Sequence, residues 1–220
     1  MNTKKQKVLI IGANGSIGKI ISNLLKNSPE YSPVAMIRKE SQKKYFEDLG
    51  IDTIIGDLEK DFEVAYEGIS KVIFAAGSGG STGPEKTKSV DQEGAIKSID
   101  LALKYKIEKF VLLSSMGAGN PEDFKDSQLF LYLLAKNKAD EHLIKTDLNY
   151  SIVRPGRLTN NSGTGKIEAA KKLGKQGEIT REDVAQTLVD VLDSKLASVI
   201  SFEIIEGQDK IKDALTKLQS

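Results

Sequence analysis

Tyr132 and Lys136 stand four residues apart in a stretch of helical character, so both side chains lie on one face, a turn from each other. A phenol with a reference pKa of about 10 is a poor base near neutrality, but a neighbouring ammonium favours its phenolate. Lys136 is placed to supply that charge and to donate to ribose hydroxyls. Ser115, or less favourably Ser114, follows a β-branched run and could bond an oxygen that gains or loses a hydride. Together they would make a carbonyl/alcohol redox site with Tyr132 as acid or base. The spacing alone is weak: with six tyrosines in a lysine-rich chain, chance supplies about one such pair. Tyr105 with Lys109 is another, and Leu129, Phe130, Leu131, Leu133 and Leu134 surround Tyr132 as they would a core aromatic.

Redox chemistry of this kind needs a hydride carrier, and the chain offers a place for one. Gly12-Ala13-Asn14-Gly15-Ser16-Ile17-Gly18 lies between a short apolar run and a helix whose face is set by Ile17, Ile20, Ile21, Leu24 and Leu25. Gly12 suits a tight turn, Gly15 gives a pyrophosphate room beside the backbone, and Gly18 lets the helix pack close to the sheet. The amides of Ser16 and Ile17, at the helix N-terminus, face the anion. Gly163-Thr164-Gly165-Lys166 fails as a second phosphate loop, because the earlier glycine is missing and Ile167 replaces the metal-binding hydroxyl.

About twenty residues beyond the glycine loop, where an acidic side chain would serve a ribose 2′-hydroxyl, stand Arg38 and Lys39. A guanidinium suits a 2′-phosphate, which favours NADP over NAD. Asp57, in Gly56-Asp57-Leu58, is either an acceptor for the adenine amino group or a turn aspartate.

These residues must be held by an alternation of short strands and amphipathic helices. The strand candidates are Val8–Ile11, Val34–Ile37, Thr53–Ile55, Val72–Ala76, Phe110–Leu113, Tyr150–Val153 and Val199–Ile205. The pattern predicts an α/β Rossmann-type, doubly wound parallel sheet with helices on both faces, in a single domain spanning residues 1–220. Thr180, with Asp183 three residues on, reads as the start of a late helix. Two polar, glycine-rich stretches, Gly77–Lys88 and Pro155–Lys166, follow strands and fall where ligand-crevice loops occur, with small substrate-side elements expected within 155–180.

Composition narrows the function classes. The 32 basic residues balance 31 acidic ones, so no global field draws the protein to nucleic acid or to an anionic membrane. The absence of cysteine excludes disulfides, thiolate catalysis and sulfur-ligated metals, and His142, the single histidine, cannot make a cluster. No stretch is long and apolar enough to span a bilayer; the basic start Met1–Lys7 leads only into Val8–Ile11, and a cytoplasmic location is expected. His142 reads as a surface residue, and Arg157 as either an anchor for an anionic substrate or a solvated loop arginine.

Taken in order, Gly12–Gly18, Gly56-Asp57-Leu58, Phe74-Ala75-Ala76-Gly77, Leu113-Ser114-Ser115, Tyr132 with Lys136, Val153-Arg154-Pro155-Gly156 and Thr180–Ala185 resemble an atypical short-chain dehydrogenase/reductase. The branch is the NAD(P)-binding, NAD-dependent epimerase/dehydratase-like one, and the likeness covers nearly the whole chain. The resemblance implies that Ala75, Ala76 and Gly77 line adenosine and ribose, and that Pro155 and Gly156 lie beside the nicotinamide. Two departures stand out. Met116 falls where the extended branch can carry its active serine or threonine, and only 64 residues follow Gly156, too few for a large separate substrate domain. The expected function is an NADP-dependent oxidoreductase or epimerase/dehydratase-like enzyme on a small carbonyl or alcohol. Its rivals are a non-catalytic NmrA-like sensor and a flavin- or tetrapyrrole-type reductase that needs only hydride delivery.

Overall fold

The computed structural model describes residues 5–79 and 83–219; residues 1–4 of the basic start and 80–82 of the Gly77–Lys88 stretch lie outside them. The first half alternates β1 (Gln6–Ile11), α1 (Ser16–Lys26), β2 (Tyr31–Ile37), α2 (Lys43–Glu47), β3 (Asp52–Ile55) and β4 (Lys71–Phe74). A continuous helical stretch follows, from α3 (Pro84–Lys86) through a π-helical segment (Thr87–Gly94) into α4 (Ala95–Lys104). Then come β5 (Lys109–Leu113), α5 (Phe130–Ile144), β6 (Tyr150–Pro155), β7 (Arg157–Thr159), β8 (Lys166–Ala170), β9 (Glu178–Thr180), α6 (Arg181–Asp190), β10 (Ile200–Glu206), β11 (Asp209–Lys210) and α7 (Ile211–Lys217).

The main sheet runs β3-β2-β1-β4-β5-β6-β10-β8-β11. Its first seven strands are parallel, and β8 turns back antiparallel to β10. This is the expected doubly wound Rossmann order, with its switch point between β1 and β4, where a crevice opens at the strands' carboxyl ends. The period-two alternation of β1 divides the core. Val8 and Ile10 join Ile17, Ile21, Leu25, Val184 and Leu188 on the α1/α6 side, while Leu9 and Ile11 join Ile99, Ala102, Ala139 and Leu143 on the α4/α5 side.

Two differences from the sequence reading have plain causes. The fourth strand ends at Phe74, not Ala76, at the level where its partner β1 gives way to Gly12, which turns with φ +89° so close to the Ala75–Ala76 backbone that a Cβ would not fit. The 155–166 stretch, read as a loop, contains β7, which pairs in parallel with β9 in a separate two-stranded sheet. Thr180 does cap α6, accepting from Asp183 N at 3.0 Å.

Candidate active site at the switch point

The glycine loop crosses from β1 to α1 at the switch point, and its three glycines are required for different reasons. A Cβ on Gly12 would lie 2.6 Å from Ala76 N, and one on Gly18 would lie 2.2 Å from Gly12 O. Those two positions hold backbone against backbone. Gly15 is exposed, has φ −70°, and a Cβ there would meet only Gly12 O at 3.2 Å, so its bareness leaves space on the outer side of the loop. Ser16 and Ile17 open α1, which has no side-chain cap and no acidic residue in its first turn. Its N-terminus is therefore free to take an anion.

A cavity of about 360 Å³ extends from this loop along the ends of β1, β2 and β4. Gly12, Asn14, Gly15, Arg38, Asp57, Leu58, Ala75, Ala76 and Gly77 all line it. Gln42 holds the turn after β2, its Oε1 accepting from Arg38 N at 2.9 Å and Lys39 N at 3.1 Å, while the exposed Arg38 guanidinium acts on the Glu59 carboxylate only at a distance. Asp57 Oδ1 accepts from Glu59 N at 3.1 Å, so it is a turn aspartate that also lines the cavity. The uncapped helix end, the bare Gly15 and the cationic far wall fit a dinucleotide.

Tyr132 and Lys136 occupy the first two turns of α5. Lys136 Nζ lies 5.8 Å from the centre of the Tyr132 ring and 3.1 Å from Asp91 Oδ1, and also donates to Leu113 O at 3.3 Å and Ala76 O at 3.4 Å. The lysine thus ties the ends of β4 and β5 to α5 and to the π-helical segment. Its side chain is 4% exposed and that of Asp91 is fully buried. Burial opposes the ammonium most strongly, but the Tyr132 phenol and the carboxylates of Asp91 and Asp140 outweigh it, so the Lys136 pKa stands above the usual lysine value. Asp91 Oδ2 also accepts from Ser78 N at 3.0 Å, which anchors the segment after Gly77. Sequence reading missed Asp91: a lone aspartate inside a helical stretch carries no signal, and the π-helical geometry at that position was not legible.

The two serines part company. Ser115 is half-buried just after β5, with Oγ 3.4 Å from Met116 O. Ser114 is buried and donates to Asp140 Oδ2 at 2.9 Å; the same oxygen accepts from Arg154 Nε at 2.9 Å. Burial pushes the Asp140 carboxyl up, against the lowering influence of Arg154 and Ser114. Pro155 is buried and Gly156 half-buried at the end of β6, where Pro155 O accepts from Met116 N at 2.9 Å. The competing Tyr105–Lys109 pair lies at the amino-terminal end of β5, away from the strand's carboxyl end: Tyr105 donates to Glu63 at 2.9 Å, and Lys109 is the buried first residue of β5. His142 pairs with Asp100 at the surface, and Arg157 pairs with Glu178. The Gly163 amide is bonded to Glu182, and those of Thr164 and Gly165 to Asp183, so that loop's donors are spent on its own helix.

Fold and cavity together define a Rossmann protein built for a nicotinamide dinucleotide. Residues 12–195 match the model of the NAD(P)H-binding family, and the chain belongs to that family. Over 215 residues it is 42% identical to the uncharacterized sugar epimerase YhfK of Bacillus subtilis, covering 96% of this chain and 100% of that one. It is 27% identical to sanguinarine reductase of Eschscholzia californica, covering 97% and 93% respectively. The crystal structure of the oxidoreductase ylbE from Lactococcus lactis superposes with a TM-score of 0.86 at 28% identity, covering 97% of each chain. No helix among the described residues is long and apolar enough to cross a membrane, and no group of acidic and histidine side chains among them could hold a metal.

Proposed function

We propose that the protein is an NADP-dependent oxidoreductase acting on a small carbonyl or alcohol, with Tyr132 as proton donor and acceptor, Lys136 as its electrostatic partner and Ser115 as the hydrogen-bond donor to the reacting oxygen. The observation that carries this reading is the fixed Lys136 ammonium, held at the ends of β4 and β5 beside the half-buried Tyr132 ring. The bound nicotinamide supplies the hydride chemistry. Gly12, Gly15 and the Ser16 and Ile17 amides orient the dinucleotide, Arg38 selects its 2′-phosphate, and Ala75, Ala76 and Gly77 wall the adenosine side. Tyr132 moves the proton at its hydroxyl oxygen, with the Lys136 ammonium 5.8 Å from the centre of its ring. Ser114, turned to Asp140, supports the strand end from the core side. Elements within 155–180 furnish the substrate side.

A reductase needing no proton relay is the second reading. Asp91 favours it, because a carboxylate 3.1 Å from Lys136 offsets part of the charge felt by Tyr132. Tyr132→Phe separates the two. With an aldehyde and ketone panel read by NADPH absorbance, a proton-relay tyrosine loses roughly 10²-fold or more in kcat while cofactor affinity is kept. A Phe variant that turns over its substrate like the parent overturns the assignment of Tyr132.

A further inference from the structure

A second cavity, of about 370 Å³, shares no lining residue with the one that fits the cofactor and is walled by the turn after β5, by Arg154 of β6 and by Glu203 of β10. Its wall begins at Met116, directly after Ser115, and includes Gly119, Phe124, Arg154, Lys171 and Lys172. The turn that forms it packs on α5: a Cβ on Gly117 would touch Phe124 at 2.7 Å and Leu133, the neighbour of Tyr132, at 3.3 Å.

Arg154 is the unusual member of this wall. Its side chain is 11% exposed, at the next-to-last position of a strand buried along its whole length, and Nε is committed to Asp140. Nη1 and Nη2 find no acceptor among the described residues. Nη1 lies against Gly119, where a Cβ would come within 2.6 Å of it, so the absence of a side chain there leaves the guanidinium edge clear. Lys171 and Lys172 are exposed and have no ion-pair partner among the described residues, whereas Lys175 is paired with Glu168. The wall holds four cationic side chains against two carboxylates, and one of the latter, Glu203, is engaged by Leu173 N at 2.7 Å. Met116 and Phe124 add apolar surface to a wall completed by glycines, Asn120, Gln176 and the second carboxylate, Asp123.

We infer that this cavity is a substrate subsite for an organic anion: a small carbonyl compound with an apolar body and a carboxylate or phosphate group, the anion bonded by Arg154 and drawn in by Lys171 and Lys172. A guanidinium pre-set by Asp140 presents two parallel donors, the geometry that either anion accepts. Arg157, the arginine that the sequence offered for this role, is instead occupied by Glu178. The inference rests on the reading of the Tyr132 side as the reaction centre, and it assigns the chemical class of substrate.

The test measures binding and turnover separately. By ligand-observed NMR on the NADP-saturated protein, 4-methylbenzoate or 4-methylphenyl phosphate should bind at least tenfold more tightly than neutral 4-methylbenzamide. The anion showing the larger preference identifies the group. Gly119→Ala, which presses on Nη1 yet leaves Nε on Asp140, and the surface double variant Lys171→Gln/Lys172→Gln should each weaken anion binding fivefold or more and leave the amide unchanged. Turnover of 4-formylbenzoate should likewise exceed that of 4-formylbenzamide in kcat/KM. Equal affinities for anions and amide, or anion binding untouched by both variants, overturn the subsite whatever the turnover. Tight anion binding without turnover of either aldehyde upholds the subsite and counts against the oxidoreductase reading alone.

Discussion

Asp91→Asn is the perturbation that reads the buried centre of the site most directly. The substitution keeps shape and the acceptor for Ser78 N but removes the one carboxylate in ion-pair contact with Lys136, in a place where the two side chains are 0% and 4% exposed. Breaking a pair so enclosed leaves an uncompensated charge and costs about 3–5 kcal/mol, a large part of the roughly 5–15 kcal/mol that holds a domain folded. The pH dependence has a definite sign. In the parent the Lys136 pKa is raised, so its contribution is fully present below the unfolded lysine value of about 10.4 and is lost only as pH climbs through the higher folded value. In the variant the burial penalty persists, while of the opposing groups only Tyr132 and Asp140, both on α5, remain. The lysine pKa then falls, the folded state binds fewer protons than the unfolded one, and stability rises with pH. The gap between parent and variant therefore narrows as pH goes from about 7 to 9.5, since the lysine can shed its charge. Urea unfolding followed by circular dichroism across that range gives both numbers. A deficit below about 1 kcal/mol at pH 7, or one that stays constant with pH, refutes the argument that this ion pair is buried and charged.

Three further outcomes follow from the same geometry. Gly15→Val should fold normally and lose NADPH binding by calorimetry, because its Cβ meets only Gly12 O and otherwise projects into the pyrophosphate space; unchanged affinity in a folded variant refutes the loop assignment. The parent should prefer NADPH to NADH at least tenfold, from charge-assisted bonds of about 1.5–3 kcal/mol each, and Arg38→Asp should level or reverse that preference; equal parent affinities remove the role of Arg38. Lys109, whose burial beside Lys71 lowers its pKa to about 7, makes the folded state increasingly favourable as pH rises from about 7 toward the 10.4 of a free lysine. Lys109→Met should flatten that rise in urea midpoints, and a slope equal to the parent's would show that Lys109 is not the group responsible.

What the sequence made legible is what depends on neighbours along the chain. The glycine loop, the helix face from Ile17 to Leu25 and the Thr180 cap are local and fall where their spacing placed them; the alternation of the parallel strands is local too, but the end of β4 and the short strands after β6 depend on partners elsewhere in the chain. Arg38 was legible because its distance from the loop is fixed by one βαβ unit. The partners of Lys136 and Arg154 were not, since Asp91 lies 45 residues from the lysine it meets, and Asp140 joins β5, α5 and β6 through contacts no periodicity records. A signal did exist for Arg154. A charged residue ending the β-branched run Tyr150–Val153 must find a carboxylate once that strand is buried. Asp140, one helical turn beyond Lys136, is its partner. The same α5 thus presents one cation from its own face and orients another from β6, the first toward the dinucleotide side and the second toward the neighbouring cavity. Changes to Asp140 should therefore be felt both at Arg154, its ion-pair partner, and at Lys136, whereas changes to Asp91 should be felt at Lys136 and not at Arg154.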